Sequence, residues 1–362
     1  MQFRPEQPYN DLPLLPPKAD IETKNVLKKL VSARAWLAEL KGRAPLIPNQ
    51  DILINNISLQ EAKVSSEIEN IITTNDELFK AISAKNYPVD KSTKEVINYR
   101  KALYSGFQAI GTNKILTIND IININDTIIE TTEGIRKLPG TTLMNDQTNE
   151  VIYTPPAGEN VIRAKLDNLA LFINDDEFFN VDPLIKMAMI HYQFESIHPF
   201  SDGNGRTGRI INVLYLCLKD IIDMPVLFLS RYISLHKSDY YRLLRNVTVN
   251  NDWESWIIYM LDAVTETAAS TIKKVSDIRQ TIDETIEMVK KQAPEIYKKE
   301  LVEVLFEQPY CKSSFLEKKL GVVRQTASVY LKKLQEIHVL ELQKIGKENL
   351  YLNTALVQVL KK

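Results

Sequence analysis

The chain has 362 residues, of which 44% are hydrophobic, and its 45 Lys and Arg nearly balance its 46 Asp and Glu, for a formal net charge of −1. A chain of this length is longer than those that form a single ordinary hydrophobic core, which predicts two or three domains. The near-neutral net charge of the whole chain does not indicate a protein that binds nucleic acid or a membrane surface. The sequence shows neither a secretory leader nor an apolar run of 18 residues, so we expect a cytoplasmic protein without membrane contact.

The N-terminal region is predicted to be extended first and then helical. Residues 1–20 are rich in proline, whereas 22–42 have a helical pattern. A further helix is predicted to begin at Ser58, because Ser58 and Glu61 have the spacing of a capping box. Inside that helix, residues 65–70 read Ser-Ser-Glu-Ile-Glu-Asn. From the residues alone, the acidic side chains of this segment are polar positions on an amphipathic helix.

The middle of the chain begins with two more helical stretches, at 94–110 and 117–131. Residues 141–144 and 151–153 then have strand composition and flank a polar turn, which predicts a β-hairpin. A hairpin beside a helical core is more often an ordinary connection than a functional element. The hairpin sequence therefore identifies no function.

A twelve-residue segment holds the densest chemistry of the chain. It follows a helix predicted at 181–197 and reads, from 198 to 209, His-Pro-Phe-Ser-Asp-Gly-Asn-Gly-Arg-Thr-Gly-Arg. The His198 imidazole has an intrinsic pKa of roughly 6.5, so it can accept a proton from a hydroxyl near pH 7. Asp202 is a candidate ligand of Mg²⁺, which needs only one or two protein carboxylates beside water and phosphate.

The second half of this segment predicts an anion site at the start of a helix. Gly203, Asn204 and Gly205 tolerate positive φ angles and can turn backbone N–H groups toward phosphate oxygens. Arg206 and Arg209 lie three residues apart on the helix predicted from 206 onward and share a face. Each feature is common by itself, but together they indicate transfer of a phosphate-containing group from a nucleotide to an alcohol.

The C-terminal part is predicted to contain long helices and then a small separate domain. Residues 255–292 have the spacing of one or two long helices, which Pro294 ends. The last 60 or so residues resemble a winged helix-turn-helix, with helices and hairpin strands at 301–306, 314–320, 323–335, 340–344 and 349–352. Ten basic and six acidic residues between 301 and 362 form a modest basic footprint. Domains of this kind bind DNA or dock to proteins, and the pattern leaves both open.

Residues 198–209 resemble the signature of the Fic family, His-x-Phe-x-Asp/Glu-Gly-Asn-Gly-Arg-x-x-Arg, without departure. The family typically moves AMP from ATP onto a Ser, Thr or Tyr hydroxyl of a protein. The resemblance implies that the hairpin is the flap, which aligns the target peptide as an added strand. The related Doc-type kinases have Ala-Asn-Lys-Arg where this chain has Gly-Asn-Gly-Arg. Gly205 therefore favours AMP transfer over phosphorylation.

The resemblance also implies a role for each residue of the site. His198 would be the general base, Asp202 the ligand of Mg²⁺, and ATP the co-substrate. The phosphates would be bound by Gly203, Asn204, Gly205, Arg206 and Arg209, the last of them at the γ-phosphate. Tyr240 and Tyr241 are candidates for an adenine pocket, with ordinary core positions as the alternative.

The 65–70 segment resembles the inhibitory motif of the family, Ser/Thr-x-x-x-Glu-Gly/Asn, with Ser65, Glu69 and Asn70 in the matching places. By this resemblance Glu69 pairs with Arg209 and keeps the γ-phosphate from its productive position, because carboxylate and phosphate compete for one guanidinium. The motif precedes the 198–209 segment, which implies an N-terminal inhibitory helix. Some relatives use such a carboxylate to orient water, so removal of AMP is the alternative activity.

We therefore expect a mainly α-helical protein with a Fic-type core, a small β-hairpin flap and a C-terminal winged helix-turn-helix domain. The predicted boundaries separate an N-terminal helical region, the core, a helical connector and the winged helix domain, at 1–93, 94–235, 236–294 and 295–362. The expected partners are a protein target, a second copy of the chain, and DNA at 295–362, with self-modification open. A DNA-binding regulator with a nucleotide-sensing core is the alternative from another functional class.

Overall fold

A computed structural model describes residues 3–47, 49–84, 87–144, 148–346 and 348–361. The helices before the hairpin are α1 (Lys24–Arg43), α2 (Gln50–Ile68), α3 (Asn75–Ser83), α4 (Lys91–Asn113) and α5 (Ile118–Ile129). They confirm the helices predicted near 22–42, 94–110 and 117–131. Four of them begin after a residue whose side chain accepts the N–H of the third helical residue, namely Thr23, Thr74, Asp90 and Thr117.

Helix α2 begins at Gln50, so the capping box predicted at Ser58 is wrong. The N-cap is Asn49, whose side chain accepts the N–H of the second helical residue at 3.0 Å. Ser58 lies in mid-helix, where its hydroxyl donates to the carbonyl of Ile54. Glu61 is buried and accepts hydrogen bonds from the hydroxyls of Tyr99 and Ser230. Two polar residues at capping-box spacing thus occur inside a helix because each has another partner.

The predicted hairpin is confirmed. Strand β1 (Leu143–Met144) pairs antiparallel with β2 (Val151–Tyr153). The turn between them includes residues 145–147, which lie outside the described residues. Both residues of β1 are exposed, whereas β2 is partly covered.

An N-terminal arm, residues 3–23, packs against the hairpin and contains neither helix nor strand. The Tyr9 N–H donates to the Thr154 carbonyl at 3.0 Å, just after β2. The Thr154 hydroxyl donates in turn to the Pro5 carbonyl at 2.6 Å. The arm therefore covers the β2 side of the hairpin and leaves β1 open.

Three helices after the hairpin form the centre of the fold: α6 (Glu159–Asn174), α7 (Pro183–Ile197) and α8 (Asn204–Leu218). Nearly every residue of α7 is buried, and α7 packs between α6 and α8. Helix α8 also contacts α2, α4 and α5. The 198–209 loop therefore joins two central helices, and its surroundings come from elements far apart in the sequence.

The next helices are α9 (Leu229–Leu235), α10 (Lys237–Asn250) and α11 (Trp253–Gln292). Helix α11 is one continuous helix of 40 residues, which decides between the one or two helices predicted at 255–292. It packs along α1 and α7 at one end and contacts the C-terminal helices at the other. The core and the C-terminal domain are thus joined through a shared helix.

The C-terminal elements are α12 (Lys299–Phe306), β3 (Tyr310–Cys311), α13 (Ser313–Leu320), α14 (Arg324–Glu336), β4 (Glu341–Ile345), β5 (Glu348–Leu352) and α15 (Thr354–Lys361). The strands form an antiparallel sheet in the order β3-β5-β4. Gly321 ends α13 with a positive φ of 65°, as expected for the turn of a helix-turn-helix. This arrangement agrees with the predicted winged helix-turn-helix, to which the structure adds β3 and α15.

The described residues include no helix that is both long and apolar enough to span a bilayer.

Candidate active site

The 198–209 loop is fixed at its beginning by the backbone. His198 ends α7 in the left-handed region, with φ of 48°, and its N–H donates to the Phe194 carbonyl at 3.0 Å. The buried Arg136 donates from Nε to the His198 carbonyl at 2.7 Å. The Arg136 N–H also donates to the Pro199 carbonyl at 2.9 Å. The position of the His198 ring therefore depends on Arg136, which the sequence did not single out.

Two asparagine side chains hold the middle of the loop. Asn204 donates to the Phe200 carbonyl at 2.8 Å and accepts the Phe200 N–H at 2.9 Å. Asn125 of α5 donates to the Asp202 carbonyl at 2.9 Å and to the Thr207 hydroxyl at 3.2 Å. The Asn204 carboxamide thus shapes the loop and is not free for an anion. Only its backbone N–H, at the start of α8, remains for that role.

The start of α8 has the geometry of an anion site. Gly203 precedes the helix with φ of 77°, and a Cβ atom there would lie 2.8 Å from Asn125 Nδ2. The first N–H groups of a helix have no carbonyl partner within it, and the helix dipole is positive at that end. These groups belong to Asn204, Gly205 and Arg206. The glycines allow the loop and its neighbours to pack closely around these N–H groups.

Arg206 contacts two carboxylates. It is 1% exposed and donates to Glu95 Oε2 at 2.6 Å and to Asp202 Oδ1 at 3.3 Å. The Gly203 N–H also donates to Asp202 Oδ1, at 2.5 Å. Arg206 and Gly203 therefore orient Asp202, and Glu95 of α4 orients Arg206.

Asp202 fits a magnesium ion that takes most of its ligands from elsewhere. Its side chain is 69% exposed. The hydrogen bonds described above involve its Oδ1. No group of three or more His, Cys, Asp or Glu side chains in the described part of the chain has metal-binding geometry. A single accessible carboxylate is nevertheless sufficient for Mg²⁺ when phosphate and water supply the other ligands.

Arg209 is held by the end of α2. Its guanidinium is 1% exposed, and Nε donates to the Ser65 hydroxyl at 2.8 Å. Nη2 donates to the Ser65 carbonyl at 2.8 Å and to Glu69 Oε1 at 3.0 Å. A Cβ atom on Gly205 would lie 2.4 Å from the same Glu69 oxygen. The Glu69 carboxylate therefore lies directly over the anion-binding start of α8.

The backbone at the end of α2 explains why Asn70 follows Glu69. Asn70 has φ of 61°, and its N–H donates to the Glu67 carbonyl at 3.0 Å. The Ile71 N–H donates to the Ser66 carbonyl at 3.0 Å, which completes a Schellman motif. Glycine and asparagine are the residues that adopt this left-handed position most readily. Asn70 thus ends the helix with Glu69 in its last turn.

Comparison with known proteins identifies the family. Models of the Fic/DOC family N-terminal region and of the Fic/DOC family match residues 27–108 and 115–216, and the model "Protein adenylyltransferase SoFic-like, C-terminal domain" matches 281–356. The chain belongs to the Fic/DOC family. The second match contains all of the 198–209 loop and all of α7.

Sequence relatives match the chain over short stretches. Protein adenylyltransferase fic-1 of Caenorhabditis elegans is 37% identical over 59 residues, which are 16% of this chain and 11% of the relative. Protein adenylyltransferase Fic of Aedes aegypti is 29% identical over 108 residues, 30% of this chain and 21% of the relative. The chain thus matches less than a quarter of either relative's length.

Solved Fic structures share the fold. A Fic family protein from Desulfovibrio desulfuricans G20 superposes with a TM-score of 0.60 at 20% identity, over 93% of this chain and 98% of that one. Fic-1 from C. elegans superposes with a TM-score of 0.51 at 18% identity, over 67% and 73%. These likenesses confirm the predicted Fic-type fold class.

Within this Fic core, His198 and Glu195 are among the titratable groups with shifted pKa values. Burial lowers the pKa of His198 to about 4, with the Arg136 guanidinium adding to the effect. The imidazole is therefore neutral at pH 7 and able to accept a proton. Burial raises the pKa of Glu195 to about 7, against the influence of Arg209. Glu195 lies one turn before His198, a spacing that could have identified it from the sequence.

Arg209 stays charged. Burial lowers the pKa of its guanidinium, but Glu69 and the neighbouring Tyr99, Tyr240 and Glu195 together raise it more, and the net shift is upward. The pair therefore joins a buried guanidinium to a carboxylate whose side chain is 35% exposed. A phosphate that replaced Glu69 would meet the same charge.

The two tyrosines of the predicted adenine pocket lie in different environments. Tyr240 is 2% exposed, and its hydroxyl is 2.8 Å from Nε2 of the buried His191. Its ring also packs against Trp256, 5.7 Å between centroids. Tyr241 is 48% exposed. Tyr240 thus occupies a core position behind the loop, the alternative that the sequence left open, whereas the Tyr241 ring faces solvent.

Proposed function

We propose that the protein is an autoinhibited adenylyltransferase that transfers AMP from ATP to a Ser, Thr or Tyr hydroxyl of a target protein. The observation that carries this proposal is one contact: Glu69 lies over the α8 start and pairs with Arg209 at 3.0 Å. The same place offers a positive helix end and a charged guanidinium, which suit a polyphosphate. Relatives named protein adenylyltransferase, described above, support the choice of reaction.

In the proposed reaction, the target hydroxyl attacks the α-phosphorus of ATP. An oxygen–phosphorus bond forms, the bond to pyrophosphate breaks, and neutral His198 takes the hydroxyl proton. The N–H groups at the start of α8 stabilise negative charge on the phosphate oxygens. Mg²⁺ held by Asp202 would supply further neutralisation of the phosphate charge.

Inhibition follows from charge and from space. The Glu69 carboxylate accepts a hydrogen bond from Arg209, so a γ-phosphate has to displace it before it can use that donor. The carboxylate also places a negative charge beside the α8 N–H groups, where phosphate charge would accumulate. Removing it gives ATP both the donor and the space.

The test is incorporation of label from ATP carrying ³²P at the α-phosphate into protein, with Mg²⁺ and a lysate of potential targets. Glu69→Gly is expected to raise labelling strongly, and the added His198→Ala to remove it while ATP still binds. Glu67→Gly is the matched control, because Glu67 lies in the same turn but pairs with Lys63. Equal labelling by wild type and Glu69→Gly would refute inhibition by Glu69.

The same experiment separates AMP transfer from the alternative activity. If no variant incorporates label but the protein releases AMP from a pre-modified target, the activity is AMP removal. A labelled band at the size of the chain itself would establish self-modification. The homodimer and the cytoplasmic location stay predictions.

We also propose that α14 binds duplex DNA. The domain docks to the core through other elements, and α14 leaves Arg324, Gln325 and Lys332 exposed. In winged helix domains the equivalent helix enters the major groove. A gel-shift assay with the full chain and genomic fragments is expected to show salt-sensitive binding. Binding that is unchanged in Arg324→Ala/Lys332→Ala would refute this interface.

A further inference from the structure

The first turn of α2 is bound by the winged helix domain. The Asn49 side chain, which caps α2, donates to Glu307 Oε1 at 2.7 Å. Lys319 of α13 lies 2.6 Å from the other oxygen of Glu307 and 3.0 Å from Asp51 of α2. These four residues, called the α2 clamp below, connect the start of the helix to α12 and α13.

The α2 clamp has one buried member, Glu307, whereas the side chains of Lys319 and Asp51 are 31% and 55% exposed. Glu307 is 2% exposed, so its carboxylate depends on Lys319 and Asn49 for compensation of its charge. One turn further along α2, Asn56 is also buried and donates to the Phe306 carbonyl at 3.0 Å. Contact with the winged helix domain thus extends over the first two turns of α2.

The other end of the same helix carries the residues that occupy Arg209. Helix α2 runs without interruption from Gln50 to Ile68, about 28 Å at 1.5 Å per residue. Its middle is attached to α9, where the Ser230 N–H donates to Glu61 at 3.2 Å. One continuous helix therefore connects the first turn with Ser65 and Glu69.

We propose that the winged helix domain controls the enzyme through this helix. The α2 clamp keeps α2 in the position from which Glu69 pairs with Arg209, and its opening frees Arg209 for phosphate. The winged helix domain thereby acts as the regulatory part of the protein, and a ligand of the domain that competes for Lys319 activates AMP transfer. The expected change in AMP transfer rests on the proposed function, whereas the expected change in the position of α2 does not.

The test uses Lys319→Glu, which reverses the charge that faces Glu307 and Asp51. Lys318→Glu is the matched control, because Lys318 is the exposed neighbour on α13 and has no ion pair among the described residues. We expect Lys319→Glu to raise AMP incorporation about fivefold or more, the lower range of allosteric couplings. Lys318→Glu is expected to stay at the wild-type rate.

A second readout does not require activity. Hydrogen exchange of the backbone amides over residues 61–69 is expected to speed up in Lys319→Glu and not in Lys318→Glu. If the domain of Lys319→Glu unfolds, Glu307→Gln replaces it, because this variant keeps the size of the side chain and removes only its charge. Unchanged exchange and unchanged labelling in both folded variants would overturn the proposal.

The outcomes also separate the two proposals. Faster exchange in α2 without label in any variant, including Glu69→Gly, would leave the coupling in place and refute AMP transfer. Strong labelling by Glu69→Gly with no response to the α2 clamp variants would support AMP transfer and refute control by the winged helix domain.

Discussion

The 198–209 loop and the end of α2 meet at Arg209, but they are held in place differently. The loop is closed by Asn204 within itself and by Asn125 from α5. The end of α2 reaches the site through Ser65 and Glu69, which bind the arginine itself. The contacts that close the loop therefore do not involve α2. A preorganised site next to a proposed detachable inhibitor would allow activity to change without rebuilding the site.

The largest effect is expected from a change that breaks the loop and leaves α2 intact. Asn125→Ala removes a hydrogen-bond donor to the Asp202 carbonyl and to the buried Thr207 hydroxyl. We expect this loss to lower the free energy of unfolding by about 1–3 kcal/mol. In the Glu69→Gly background we expect AMP transfer to fall about tenfold or more. Incorporation of label measures the transfer rate, and calorimetric melting measures the stability. Asn123→Ala, at an exposed position of the same helix, is the control, and equal effects of the two would contradict the role of Asn125.

A smaller effect is expected from a change at the end of α2 that leaves the loop intact. Asn70→Ala removes the short polar side chain that lets asparagine adopt the left-handed region, a conformation that costs other residues about 1–2 kcal/mol. The last turn of α2 frays, Glu69 leaves Arg209 more often, and we expect labelling to rise about fivefold, as 1 kcal/mol predicts. Asn70→Gly keeps the conformation and is expected to stay inhibited. Activation by both variants would show that the Asn70 side chain, not its φ angle, maintains inhibition.

The smallest effect is expected from pH. The pKa of His198 is lowered to about 4, so the neutral base persists as the pH falls from 7 and is lost only near 4. The transfer rate of Glu69→Gly is expected to change little between about pH 7.5 and 6, whereas an ordinary histidine titrates near 6.5. The rate profile is compared with that of Glu69→Gly/Glu195→Gln, because Glu195 titrates near 7. An acid limb near 6.5 in both would contradict a buried base.

The sequence indicated the loop as a candidate site because its residues are contiguous. Twelve neighbouring residues carry the proposed base, the proposed metal ligand, the glycines and both arginines. The helices followed from apolar periodicity and caps, such as Thr117 before α5. The segment 65–70 could be interpreted only through its resemblance to the inhibitory motif of the family, because its own pattern is that of an ordinary amphipathic helix.

The residues that support the loop could not be predicted in this way. Glu95 lies 111 residues before Arg206, and Asn125 lies 77 residues before Asp202. No local pattern marks such pairs, because tertiary packing brings them together. Strand β3 was missed since two residues show no periodicity. The start of α2 was misplaced because the spacing of Ser58 and Glu61 imitates a capping box.

The glycine at 205 has an evolutionary consequence. A Cβ atom there would lie 2.4 Å from the Glu69 carboxylate, so a side chain at 205 would displace that carboxylate from its present position. A descendant of this chain that acquired lysine at 205 would disturb the proposed inhibitory contact in the same mutational step that changed its loop. Under the proposed inhibition, selection for a silent resting enzyme would also preserve the glycine, and with it the proposed reaction.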